Sequence, residues 1–228
     1  MPATLRAVSL VFVFVGAIAT ATAGEIFSRD ADHDYDAPAP GSYQLPVIKV
    51  APDGAVLDSN GKGEHLRDVF RGRVTVLSFI YTRCAAPKAC PYATGVLSQL
   101  HRASLDDTEL AKNLRLVSLS FDPEYDTPQR LATYAEGVSG ESAGCEWRFA
   151  TTKSRAELDS ILKGYDQAVD KRSNANDPQG PLYHILRVFL IDREGRIRNI
   201  YSSGTLDPRL VIADVKTLLL ETGKLSKR

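Results

Sequence analysis

Three residues carry the chemistry legible in this chain: Cys84, Cys90 and His184. Thiolates attack disulfides and bind soft metals, and a neutral imidazole is the commonest nitrogen ligand in proteins. Cys84 follows a continuous β-branched and aromatic run, residues 74–81 (VTVLSFIY), which reads as a buried central strand. Cys90 stands directly before Pro91, a residue suited to the first turn of a helix. A helix N-terminus stabilises a thiolate through its dipole and free N–H groups, and Arg83 and Lys88 add positive charge nearby. Five residues separate the two cysteines, too many for neighbouring turns of one helix. The intervening segment 85–89 (AAPKA) therefore reads as a loop that can fold the sulfurs into contact. Such a pair suits Cu(I), zinc or a reversible disulfide; a structural disulfide, or two unrelated core cysteines, is the plainer reading.

A lone histidine is more often structural than a ligand. His184, however, lies just before a third apolar run, residues 186–191. In thioredoxin-like folds the loop before that strand lies beside the cysteine loop. An imidazole there would make an S₂N site for Cu(I) or Cu(II), or would shuttle protons in thiol exchange.

The elements that must position these groups are legible from their borders. Residues 45–50 and 55–58 read as an N-terminal β-hairpin turning on Asp53-Gly54, with a further turn at Asn60-Gly61. A second buried strand covers residues 115–121, and residues 197–201 pair with the third across Glu194-Gly195. Helices are expected from Pro91 to about Leu105, from Thr127-Pro128 to Gly137, from the Ser154/Glu157 capping box to Gly164, and from Asp207-Pro208 onward. In the last, Val211, Val215 and Leu218 share one face. Strands alternating with helices imply an α/β fold with parallel strands at its centre. In such folds, sites collect at the carboxyl ends of strands, where Cys84 stands. Cys145 precedes a short apolar strand and reads as a lone buried thiol, with a resolving or intermolecular role as the alternative.

The first residues read differently. Arg6, an apolar run over residues 7–19 and small residues at Ala21-Thr22-Ala23 form the pattern of a secretory signal. The run is shorter than the roughly 20 residues a spanning helix needs. Residues 1–23 are thus expected to be a cleaved signal, residues 24–43 a flexible tether rich in Asp, Pro, Ala and Gly, and residues 44–228 the folded domain. The Asp-His-Asp run at 32–34 reads as solvated linker. Export places the chain in the periplasm, or tethered to the inner membrane if the signal is retained. The chain carries 28 basic and 28 acidic residues, so its formal charge is zero, which gives no support to nucleic-acid binding.

Taken in order, several motifs resemble the SCO/SenC family, thioredoxin-like proteins tied to assembly of the copper site of cytochrome c oxidase. The segment Phe79-Ile-Tyr-Thr-Arg-Cys84 is similar to that family's strand running into its first cysteine, and Cys90-Pro91 to its second cysteine with proline. Asp122-Pro123-Glu124-Tyr125-Asp126-Thr127-Pro128 resembles its Asp-Pro-x-x-Asp-Thr-Pro segment. His184, followed by Phe189-Leu-Ile-Asp192-Arg-Glu-Gly195-Arg, resembles its histidine and next strand. The likeness spans roughly residues 43–222. It implies a thioredoxin-like fold, copper held by Cys84, Cys90 and His184, and Asp122 and Asp126 beside the site. It also implies a cuproprotein client such as a cytochrome c oxidase subunit, with membrane contact through that client or an uncleaved signal. Asp126 has an alternative role as a cap for the helix opened at Pro128. The family's usual spacing is Cys-x-x-x-Cys, so the longer loop here is a departure. A thiol–disulfide oxidoreductase that reduces client cysteines before metallation is the alternative function.

Overall fold

A computed structural model describes residues 33–139, 143–174 and 176–225. The expected signal, residues 1–23, lies outside them. In chain order the elements are β1 (Lys49–Val50), β2 (Ala55–Asp58), β3 (Gly63–His65), α1 (Leu66–Phe70), β4 (Val74–Ile80), α2 (Cys90–Leu105), α3 (Thr108–Asn113) and β5 (Leu114–Ser120). They continue with α4 (Pro128–Ser139), β6 (Glu146–Thr151), α5 (Arg155–Gly164), β7 (Val169–Lys171), β8 (Leu182–His184), β9 (Val188–Ile191), β10 (Arg196–Tyr201) and α6 (Pro208–Leu225).

Eight strands form one mixed sheet in the order β1-β10-β9-β4-β5-β6-β2-β3. β4, β5 and β6 run parallel, and β9 joins β4 antiparallel. Every residue of β4 and β5 is buried, as their unbroken apolar character requires of strands covered on both faces. The two-residue period of a strand splits their side chains between two cores. Val74, Val76, Leu114 and Leu116 pack with α2, α3 and α6 on one face. Leu77, Phe79, Val117 and Leu119 pack with α1 and α5 on the other. Each large side chain so buried contributes about 1.5–3 kcal/mol. This is the thioredoxin-like α/β architecture, with a central mixed sheet flanked by helices.

Several local expectations are corrected. Asp53-Gly54 is not the hairpin turn: β1 pairs with β10, whereas β2 pairs with β3 across Asn60-Gly61. The Asp58 carboxylate closes that turn by accepting from the N–H groups of Asn60 and Lys62. The helix opened at Pro128 runs through Gly137 to Ser139. Residues 33–43, the later part of the expected tether, lie against α6. Arg209 donates to the backbone carbonyls of His33 and Tyr35, Gly41 N–H to Thr217 Oγ1, and the Tyr43 hydroxyl to Asp214. The His33 side chain is buried there. No helix among the described residues is long and apolar enough to cross a membrane.

Candidate metal and thiol centre

β4 ends at Ile80, and a tight turn follows in which Cys84 N–H donates to the Tyr81 carbonyl at 3.1 Å. That turn is clamped from beneath by Asp126, which is fully buried. The Asp126 carboxylate accepts from the Thr82 N–H at 3.0 Å, from the Ser120 hydroxyl at 2.6 Å, and from the Thr82 hydroxyl. Asp126 therefore braces the strand ends that lead to Cys84. The cap of α4 falls instead to Thr127, whose hydroxyl faces the Arg130 N–H. Burial raises the Asp126 pKa, against the pull of its hydroxyl donors. Asp122 holds the next residue along: its carboxylate accepts from Arg83 at 2.6 Å. The Arg83 and Arg130 guanidiniums lie 3.9 and 3.8 Å from the centre of the Tyr125 ring. Both carboxylates thus stand beside the site and act on the Cys84 loop.

Residues 85–89 form the expected loop, pinned by Ala85 N–H to the Gln179 carbonyl and Ala89 N–H to that of Ala86. Cys90 is the first residue of α2 and is wholly buried, whereas Cys84 is half-buried. Both are free thiols in contact with each other. The Cys84 pKa is lowered to about 6, first by the hydrogen bond from Cys90, then by the backbone N–H groups of Cys90 and Ala86 and the Tyr81 hydroxyl, with burial opposing. Cys90 moves the opposite way: its proton is held by Cys84 and its anion disfavoured by burial. In the reduced, metal-free protein, iodoacetamide alkylation of Cys84 is therefore expected to be half-maximal near pH 6, against about 8.5 for an ordinary thiol. Cys90 is expected to resist the reagent across that range; peptide mapping of the modified chain reads both.

His184 is the last residue of β8, which pairs with β7 in a separate two-stranded sheet. Its ring is buried and packs edge-on against Phe121, centroids 4.5 Å apart. Its Nε2 lies 3.5 Å from Cys90 Sγ, and its Nδ1 lies 3.1 Å from the Ile185 carbonyl. A carbonyl can only accept, so Nδ1 carries the proton and Nε2 presents its lone pair to the sulfur. Burial lowers the His184 pKa, which keeps the ring neutral and its lone pair open. Metal–nitrogen and metal–thiolate bonds of about 2.0 and 2.3 Å at a tetrahedral angle separate their donors by about 3.5 Å. The observed 3.5 Å between Cys90 Sγ and His184 Nε2 fits that bite. Among the described residues no three His, Cys, Asp or Glu side chains already converge as a metal cage. The centre is a two-donor face with the Cys84 thiol at its edge.

Some contributors escaped sequence reasoning. The Tyr81 hydroxyl stands within hydrogen-bond distance of the carbonyls of Leu182 and Gln179, at 3.0 and 3.1 Å, where its single proton ties the Cys84 strand to the His184 segment. Gly180 makes that approach possible: its φ is +101°, and a Cβ would stand 2.3 Å from the Tyr81 hydroxyl and 2.8 Å from the Arg83 carbonyl. The Gly180-Pro181 dipeptide was the available signal. Gly180→Ala is expected to lower stability by about 2–4 kcal/mol in a denaturant titration, because strain and a backbone clash coincide. Cys145 is buried in the core layer opposite that of Cys90, where its pKa is pushed up to about 11 by burial. It is the lone thiol the sequence suggested.

A thioredoxin-like sheet with one thiol just after β4 and another at the start of α2, and a neutral imidazole brought against them from the separate β7–β8 pair, defines a thiol–imidazole centre. A family model for SCO1/SenC matches residues 55–220, and the chain belongs to that family. It is 26% identical over 163 residues to a SCO1 protein homolog of Bacillus subtilis (strain 168), covering 70% of this chain and 78% of that protein. Its fold is similar to Bradyrhizobium japonicum ScoI solved with copper bound: TM-score 0.61, 22% identity, 74% of this chain and 99% of that one. It is similar also to BsSco, described as having a disulfide switch and as a member of the Sco family of cytochrome c oxidase assembly proteins: TM-score 0.60, 24% identity, 77% of this chain and 98% of that one.

Proposed function

We propose that this is an exported copper-binding metallochaperone that uses Cys84, Cys90 and His184 to carry copper to a client such as a cytochrome c oxidase subunit. The observation that carries the reading is the pairing of Cys90 Sγ with the unprotonated His184 Nε2 at 3.5 Å. Two soft sulfurs and one borderline nitrogen suit Cu(I) and still admit Cu(II). Cys84, on the adjoining loop, supplies the third donor by a small swing of its side chain. Copper is cargo here, so a half-exposed third ligand has a use: it gives the client's own ligands a point of entry. Residues 1–23 act as the secretory signal in this reading, and the cuproprotein client provides the membrane contact. The copper-bound ScoI relative and the SCO1/SenC assignment support it. Anaerobic reconstitution of the reduced protein is expected to leave about one copper per chain after desalting, and far less in Cys84→Ser and Cys90→Ser. Full copper retention by either variant contradicts the ligand set.

The asymmetry of the thiols favours a second reading, a thiol–disulfide oxidoreductase acting on client cysteines. Cys84, accessible and acidic, has the character of an attacking thiol, and buried Cys90 that of a resolving one. Reversible disulfide exchange with a client peptide, in a chain that holds no copper, would favour it.

A further inference from the structure

The Tyr81 hydroxyl has one proton and more than one acceptor for it. Its side chain is only 2% exposed, so bulk water does not compete, and it lies 3.0 Å from the Leu182 carbonyl and 3.1 Å from that of Gln179. Each carbonyl has a second donor: Arg172 Nε–H reaches Leu182 at 3.3 Å, and the Ala85 N–H reaches Gln179 at 3.2 Å. Neither is therefore left bare when the Tyr81 proton turns elsewhere. The Cys84 sulfur stands within hydrogen-bond reach of the same hydroxyl. Two cavities border the thiols, one toward α4 and one toward His184, and Tyr81 and Cys84 are the residues common to both linings. A hydrogen bond to an anion is roughly twice as strong as one between neutral groups, so a Cys84 thiolate outcompetes two carbonyls that are already served. The Tyr81 ring is held for this: it packs on Phe121, centroids 5.1 Å apart, and Gly180 carries no side chain to crowd the hydroxyl.

We infer that Tyr81 is a positioning residue whose hydroxyl donates to the Cys84 thiolate and restrains that sulfur, both as nucleophile and as copper donor. A hydrogen bond draws electron density from a thiolate and lessens what it gives to an electrophile or a metal. Cys90 and His184 are buried, whereas Cys84 is half-buried and restrained in this way. The weakest of the three donors is thus the one a client can reach, and Cys84 is the ligand that yields first. The inference deepens the proposed function and, for the copper-bound form, rests on it. A Tyr81 that served only as a tie would act on copper in the opposite sense. Cutting a tie between the Cys84 strand and the His184 segment loosens the site and speeds release; removing a restraint on the sulfur slows it.

The test compares wild type, Tyr81→Phe and a protein carrying 3-fluorotyrosine at position 81. Phenylalanine keeps the ring and removes the donor; fluorination makes the phenol a stronger donor in the same ring. In the copper-free, reduced protein the iodoacetamide rate at Cys84 is read by peptide mapping on its alkaline plateau, where the sulfur is fully thiolate in all three. The rate is expected to rise about threefold in Tyr81→Phe, as for a thiolate about one pK unit more basic, and to fall below wild type with fluorotyrosine. A looser loop would raise the first rate and leave the fluorotyrosine protein at the wild-type value. Any order other than phenylalanine fastest and fluorotyrosine slowest therefore overturns the inference. In the Cu(I)-loaded protein, release to excess bathocuproine disulfonate is expected to be at least about twofold slower in Tyr81→Phe. Equal or faster release overturns the inference. Copper stoichiometry of the wild type is measured first: a chain that holds none loses the proposed function, and the alkylation order alone then decides the inference.

Discussion

Replacing His184 by alanine is expected to weaken Cu(II) binding more than about 100-fold and Cu(I) binding by about tenfold. Removing a partner that merely orients a metal ligand already lowers affinity about 10–100-fold, so removing a ligand exceeds that. The two oxidation states separate because paired thiolates satisfy soft Cu(I), whereas Cu(II) gains more from an imidazole nitrogen. The geometry gives His184 little freedom to do otherwise. Nδ1 is committed to the Ile185 carbonyl, Phe121 holds the ring edge, and Nε2 is left facing Cys90. Competition titrations against chelators selective for each oxidation state read the two losses. Equal, small losses would make His184 a packing residue.

The largest effect on stability is expected at Asp126. Asp126→Ala leaves the Thr82 N–H, the Thr82 hydroxyl and the Ser120 hydroxyl without their acceptor in a fully buried place. At about 1–3 kcal/mol for a buried group left unsatisfied, the loss should reach about 3–5 kcal/mol. Asp126→Asn should lose far less. Its amide oxygen can take the Thr82 N–H, and its NH₂ can donate to the Thr82 hydroxyl, which reverses its role. The two variants differ also in pH dependence. Asp126 has a raised folded pKa, so its contribution is full below the ordinary carboxylate range and declines as pH rises through the raised value. Asparagine removes that decline. Urea titrations from pH 4 to 8 should show wild type losing stability at this site with rising pH, and Asp126→Asn flat in that component.

The central strands and the main helices were legible because their signals are local. The apolar run of β4 admits only a doubly covered strand, and Pro91, Pro128 and Pro208 mark helix starts in the chain itself. Ser154 accepts from the Glu157 N–H as the capping box requires. Asp53-Gly54 and Asn60-Gly61 are equivalent turn signals, and the pairing partners alone decide that the hairpin closes on the second. β1 prefers the edge beside β10, which sequence periodicity cannot reveal. The short α1 and α3 have too few turns to show a period. At the site, the residue types were visible but the depth was not. Spacing said that the sulfurs could meet; it did not say that Cys90 would be wholly buried and Cys84 half-buried. Nor did it show that residues 33–43 would be drawn onto α6 by Arg209.

Copper K-edge extended X-ray absorption fine structure on the reduced, Cu(I)-loaded protein reads the proposed ligand set itself. With copper held by Cys84, Cys90 and His184, two sulfurs at about 2.3 Å and one nitrogen at about 2.0 Å are expected, with the nitrogen lost in His184→Ala. A shell of sulfur alone, or a nitrogen shell that His184→Ala leaves in place, contradicts it.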